Sequence, residues 1–267
     1  MGGRVGLVIL GAFAVLLAGF LAVWVARGRV DQDRVYCANN LRQLGRFAAR
    51  DEKPDVRLPA SIPAGTVFVP DLPPDRRLSW VPDLLPALDS RRQATAELGA
   101  QIDKSLPWDA EKNAAAARTT LGVLTCPANP PPETGGPAAT QYVGSGGVNP
   151  AGATLPPADP RAGAFRYDAA TPFAAVTDGL SHTLLFAETN ADLGPWLAGG
   201  PGTVRGYDEG GRPPVGVGGQ FGGNHFGGGN VGFADGSARF LGDKIAAAVF
   251  RNLVTIAGGT GAPIPGE

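Results

Sequence analysis

The chain has 267 residues, 43% of them hydrophobic, with 40 Gly, 25 Pro and a formal net charge of −1. That Gly and Pro load argues against a helical bundle and for a loop-rich, β-containing fold, in one large domain or two small ones. The near-zero charge removes the electrostatic case for nucleic acid, and Lys53, Lys104, Lys112 and Lys244 are too scattered to mark a phosphate-rich partner.

Val5 to Ala26 carry no charge and are bounded by Arg4 and Arg27, with Trp24 near one end. As a helix rising about 1.5 Å per residue the run reaches roughly 33 Å, enough for a hydrocarbon core, and its length and exit sequence read as a retained anchor rather than a cleaved signal peptide. Arg27, Arg29 and Arg34 follow the run. Counted alone they place the globular part in the cytoplasm. Cys37, Leu41, Leu44 and Ala48 then recur on one helical face, so the helix is predicted to continue over 31–53 until Lys53-Pro54 ends it.

A globular domain is predicted over 54–257. Its Pro-rich start holds a short strand at Thr66–Val69. Ser79 and Pro82 open a helix carrying Leu84, Leu85 and Leu88. A second helix runs from Arg91 to Ile102, and Asp109 caps a third over Ala110–Arg118. Strands are expected at Leu121–Thr125, Gln141–Val143, Phe173–Val176 and Thr183–Ala187, with Asp178-Gly179 as a hairpin turn. Residues 190 to 229 are a glycine-rich excursion. A hairpin over 231–241 turns at Asp235-Gly236, its two central residues suited to a type I′ turn. An amphipathic helix over Ile245–Ile256 and a frayed tail over 258–267 complete the chain. Helices first and strands later give an α+β fold with an antiparallel sheet.

Gly222, Gly223, Gly227, Gly228 and Gly229 surround His225, and nine residues separate His225 from Asp235-Gly236. This spacing resembles the signature of prepilin-type proteins with an H-X9-DG domain, the planctomycetal family also called domain of unknown function 1559. Further blocks occur in the same order: Cys37-Ala38-Asn39-Asn40-Leu41-Arg42-Gln43-Leu44-Gly45, Ser79-Trp80 with Leu84-Leu85-Pro86, Pro107-Trp108-Asp109 with Asn113, Cys126-Pro127, and Thr177-Asp178-Gly179 through His182 to Glu188. The resemblance implies a pilin-like fold: a long N-terminal transmembrane helix packed on a domain outside the cytoplasmic membrane. Its partners would be that membrane and other pilin-like subunits or envelope proteins. At the N-terminus Gly2-Gly3-Arg4-Val5-Gly6-Leu7 lacks the Phe-Thr-Leu and Glu of a prepilin cleavage site, so the anchor, over 1–30, is expected to stay uncleaved.

Cys37 and Cys126 are the only cysteines. Their separation suits an oxidising, periplasmic compartment, and a disulfide closing about 90 residues would contribute roughly 4–5 kcal/mol by the chain-entropy argument; the alternative is two buried thiols. No Cys-x-x-Cys or Cys/His zinc spacing is present, so no metal or cofactor is expected. Asp235, Gly236, Asp178 and Gly179 are assigned to turns, and His225 to holding its glycine loop through backbone hydrogen bonds away from Asp235. A divalent-metal reading would add His182 and Glu188 to these. Ser181 beside His182 is not read as a triad, because neighbours on a strand diverge, and no glycine run matches a nucleotide cradle. The function these observations point to is non-enzymatic: a membrane-anchored, pseudopilin-like component of a secretion or cell-envelope assembly. The alternative is a membrane-tethered extracytoplasmic module binding envelope glycan or protein, metal-assisted near His225.

Overall fold

The apolar stripe of Cys37, Leu41 and Leu44 is the seat of α1 (Gly2–Ala49), and all three side chains are fully buried. The computed structural model describes residues 2–49, 61–88, 92–129 and 135–259. The expected helix end at Lys53-Pro54, the first residues of the 54–257 domain and most of the 258–267 tail lie outside them. Every described side chain of α1 from Phe13 to Gln32 is exposed, and burial begins in earnest at Cys37.

The transmembrane expectation is corrected here. Among the described residues no helix is long and apolar enough to cross a membrane. Arg27, Arg29, Asp31, Asp33 and Arg34 follow the apolar stretch, and all but Asp33 are exposed. The single-pass anchor over 1–30 and the membrane-anchored, periplasmic placement of the domain therefore lack support.

The rest is a mixed α+β domain. After β1 (Ser61–Ile62) come α2 (Val81–Leu84), α3 (Arg92–Gln101) and α4 (Ala114–Ala117). Ser79 assists the start of α2, its Oγ accepting from Val81 N at 3.1 Å and donating to the Trp196 carbonyl at 2.6 Å. Asp109 caps nothing. It pairs with Arg76 at 3.1 Å, and a 3-10 turn over Glu111–Asn113 precedes α4. The strand expected at Leu121–Thr125 is instead a 3-10 turn over Gly122–Leu124. Thr66 makes an isolated bridge to Ser79 in place of the expected strand.

The strands are β2 (Tyr142–Val148), β3 (Thr171–Pro172), β4 (Leu184–Glu188), β5 (Val204–Tyr207), β6 (Gly228–Phe233) and β7 (Ala238–Gly242). β1 and β3 form a two-residue ladder, and a 3-10 turn over Phe173–Ala175 replaces the rest of that predicted strand. The main sheet has the order β5-β2-β4-β6-β7. Its pairs are antiparallel except β2–β5, which is parallel, so the sheet is mixed. The parallel pair needs a long crossover, and the glycine-rich excursion supplies part of it. Arg205 of β5 gathers that excursion, donating to Ala191, Asp192 and Gln220 carbonyls at 2.9–3.1 Å.

Side-chain alternation splits the core in two. On one face Trp80, Phe165 and Phe186 stack at centroid distances of 5.0–5.8 Å beside Tyr142, Leu41 and Leu44. On the other, Val231, Phe233 and Leu241 meet Phe250 and Leu253 of α5 (Ala247–Val254), and Phe250 packs edge-on to Tyr207 at 5.0 Å. The β6–β7 hairpin turns at Asp235-Gly236 as expected, with a different geometry. Gly236 has φ +82° and its N–H donates to the Phe233 carbonyl at 3.0 Å, while Asp235 stays at negative φ. This is a three-residue loop closed by a left-handed glycine, not a type I′ turn.

Gly144 of β2 lies directly under the Phe165 ring. A Cβ there would sit 2.7 Å from Phe165 Cδ2. Gly144→Ala should cost about 1–3 kcal/mol as overpacking. Adding Phe165→Leu should make the pair less than additive, because it frees that space. Denaturant titration of the two single variants and the double variant checks this; strict additivity would show that the ring yields without strain.

Candidate metal centre

Four chain segments converge under the α1 side of the sheet. α1 supplies Cys37, from the buried stripe that holds the helix down. Cys126 follows the 3-10 turn over Gly122–Leu124 and opens a tight turn, closed by Asn129 N donating to its carbonyl at 2.9 Å. Glu188 ends β4 opposite Tyr142. Its side chain shares the face of Phe186, two residues earlier, and so points at α1 rather than at α5. His225 sits in the loop leading to β6.

That loop is strapped in place by its neighbours. Gly222 N donates to the Glu188 carbonyl at 2.5 Å, Asn190 Nδ2 to Asn224 Oδ1 at 2.7 Å, and Asn224 Nδ2 to Asn129 Oδ1 at 3.0 Å. The expectation that His225 itself fixes the loop through backbone hydrogen bonds is therefore corrected: side-chain bonds of Asn224 to Asn190 and Asn129 hold the loop, and the His225 ring turns inward, 2% exposed. Its Nε2 lies 3.5 Å from Cys126 Sγ and 3.3 Å from Glu188 Oε1, while Nδ1 has no partner.

The donor atoms of Cys37, Cys126, Glu188 and His225 all lie within 4.8 Å of one another. All four residues are at most 2% exposed. The two sulfurs are 2.7 Å apart and unbonded, with Cys37 donating to Cys126. The sequence paired the right cysteines in space, and the structure places them as free thiols rather than as the expected disulfide. The hydrogen bond from Cys37 lowers the Cys126 thiol to about 6, His225 adding to the effect against burial, while Cys37 is raised by the same bond and by burial. Burial pulls His225 down, but Cys126 and Glu188 outweigh it and bring it up to about 10.

A buried carboxylate demands donors. Glu188 Oε2 accepts Asn230 N at 2.7 Å, and Oε1 accepts Asn230 Nδ2 at 3.1 Å. Asn230 Nδ2 also donates to the Arg34 carbonyl of α1 at 3.2 Å. Asn40 adds a tie from α1, donating to the Thr125 carbonyl at 3.2 Å and to the Tyr142 hydroxyl at 3.3 Å.

The other sequence-predicted residues go elsewhere. Asp235 is at the hairpin tip, where its Oδ1 accepts Ser237 N at 2.8 Å, so it shares nothing with His225. Asp178 makes no hairpin turn. Its Oδ2 accepts the backbone N–H groups of Gly258 and Gly259 at 3.1 and 3.3 Å, pinning the chain after α5, and Gly179 follows at φ +94°. Ser181 and His182 do touch, Oγ to Nδ1 at 3.1 Å, because residues 180–182 form a 3-10 turn and not a strand. No carboxylate is recorded against the other His182 nitrogen among the described residues. Asn113 is a structural knot, its Oδ1 accepting Asp103 N at 2.8 Å and its Nδ2 donating to the carbonyls of Asp103 and Pro107.

Sequence reasoning missed the assembly of Cys37, Cys126, Glu188 and His225 because the four are spread over most of the chain with no short-range ligand spacing. The divalent-metal reading joined His225 to Glu188 but not to the cysteines, and the remaining signal was that each of the four lies in a separate family-like block.

The family model described as "Protein of unknown function (DUF1559)" matches residues 34–211, more than half of the chain. The match takes in Cys37, Cys126 and Glu188 and stops before His225. No curated protein and no solved structure matches the chain.

Asn230→Ala should lower stability by about 1–3 kcal/mol, because it strips a donor from a buried carboxylate. Asn230→Asp should cost more, because it sets a second carboxylate against Glu188. Chemical denaturation at neutral pH checks the order, and equal costs would show that the Asn230–Glu188 contact carries no charge-dependent weight.

Proposed function

We propose, for a chain that belongs to the DUF1559 family of proteins of unknown function, a non-enzymatic role as a pseudopilin-like subunit of a secretion or cell-envelope assembly. The observation that carries this reading is the division of α1. Among its described side chains, full burial against the domain is confined to the part from Cys37 onward. The stretch ahead of Arg34 extends for about 48 Å at 1.5 Å per residue. Phe13, Val15, Leu16, Leu17, Phe20, Leu21 and Trp24 are 49–73% exposed on it. Such a run of large apolar side chains gains about 1.5–3 kcal/mol for each one that is covered, which favours packing against other helices. Lateral association of α1 segments, with the domains on the outside, follows from that arrangement.

The binding-module alternative draws less support. A metal-assisted contact with glycan needs an open ligand position, and His225 with its three neighbours offers no exposed face.

A photo-crosslinking amino acid at Phe20 in the full chain, produced in its own cells, tests the proposal. Adducts containing a second copy or another envelope subunit are expected from position 20. None are expected from the same substitution at Val217, an exposed site on the domain. Equal labelling from both positions, or monomer alone from both, would remove the assembly reading.

A further inference from the structure

We propose that Cys37, Cys126, Glu188 and His225 bind one zinc ion that fastens α1 to the sheet. The donor set carries the choice of metal. Two thiolates, an imidazole nitrogen and a carboxylate oxygen are all ordinary zinc ligands, whereas calcium and magnesium take oxygen alone and copper(I) has little use for a carboxylate.

Geometry carries the coordination. With Zn–S near 2.3 Å and Zn–N or Zn–O near 2.0 Å, tetrahedral neighbours stand about 3.3–3.8 Å apart. The Cys126–His225 and His225–Glu188 separations of 3.5 and 3.3 Å already match. The sulfurs, at 2.7 Å, must open by about 1 Å, to the separation that two zinc-bound thiolates keep.

A disulfide would engage only the two sulfurs. It would leave Glu188 and His225 paired with each other beside the sulfurs, with no part in the bridge. His225 Nδ1 has no protein partner among the described residues, so the ring's only side-chain hydrogen-bond contacts are those of Nε2 within the cluster. Burial of all four side chains and the count of four protein ligands leave no position for water or substrate, which makes the site structural rather than catalytic. Binding releases the thiol protons and any imidazole proton to solvent, with no change of oxidation state, and the thiolates must stay reduced.

Asn230 then acts as a positioning residue, holding both Glu188 oxygens. The inference is independent of the assembly role, since a zinc clamp would serve any function that needs α1 fixed to its domain.

The test uses the full chain, isolated from its own cells without chelators, by native mass spectrometry and elemental analysis. One zinc per chain and two unbridged cysteines are expected. Removing the metal should lower the melting temperature by about 5 °C or more. Cobalt(II) in its place should give the sulfur-to-metal charge-transfer absorption of a tetrahedral thiolate site. His225→Ala should weaken zinc binding about tenfold or more, and Cys126→Ser should abolish the charge-transfer band. The wild-type measurement stands by itself should either variant fail to fold. A Cys37–Cys126 disulfide in the isolated chain, reduced wild-type protein that takes up no zinc, or zinc held equally well by both variants would each overturn the proposal.

Discussion

A carboxylate buried at the end of β4 sets the terms for the surrounding structure. Glu188 is 1% exposed, and a charge in that position is tolerated only with donors on every side. Asn230 of β6 supplies two, His225 faces a third position, and Asn230 reaches on to the Arg34 carbonyl. One side chain therefore couples the register of β4 against β6, the path of the glycine loop and the height of α1 above the sheet. Such a coupling fixes a unique arrangement more firmly than apolar packing, which would accept small slides of a helix across strands.

Glycine makes the approach of α1 to the sheet close enough for that coupling. At Gly232 in β6 the approach is less demanding, since an added methyl would make ordinary contact with Leu41 Cβ at 3.5 Å. Gly45 on the helix comes against Gly236 at the hairpin tip, where an added Cβ would meet the Gly236 Cα at 3.0 Å. The Asp-Gly of the H-X9-DG spacing is thus both a turn and a bearing surface for α1. Arg34 lies over the Phe240 ring at 3.4 Å from the other end of the same strand pair, so the hairpin is contacted along its length.

Local patterns were legible in the sequence. The stripe of Cys37, Leu41 and Leu44, the helix opened near Ser79, the strand at 184–188, the Asp-Gly hairpin and the last amphipathic helix each rest on periodicity or turn chemistry within a dozen residues. What stayed hidden is non-local. Leu121–Thr125 reads as a strand by composition, yet its backbone is drawn into a 3-10 turn that delivers Cys126 to α1. Asp178-Gly179 has the residues of a hairpin, but the Asp178 carboxylate is taken by backbone N–H groups 80 residues on. The parallel β2–β5 pair depends on how the glycine-rich excursion returns, and the contacts that hold that excursion, the Arg205 bonds to Ala191, Asp192 and Gln220 carbonyls, are non-local. His225 carried the clearest clue, a lone histidine among glycines, and its partners come from three distant segments.

The proportions of α1 have a mechanical consequence. From Arg34 to Gly45 the helix is supported over roughly 17 Å, and ahead of Arg34 it extends about 48 Å, with every described side chain from Phe13 to Gln32 exposed. It is a lever with its fulcrum at the short end. A tilt that moves either end of the seat by half an ångström displaces the far tip by several times as much. The stiffness of the contacts around Cys37 and Gly45 therefore governs the aim of the whole arm, and a small shift among those few buried atoms would be multiplied at a tip tens of ångströms away.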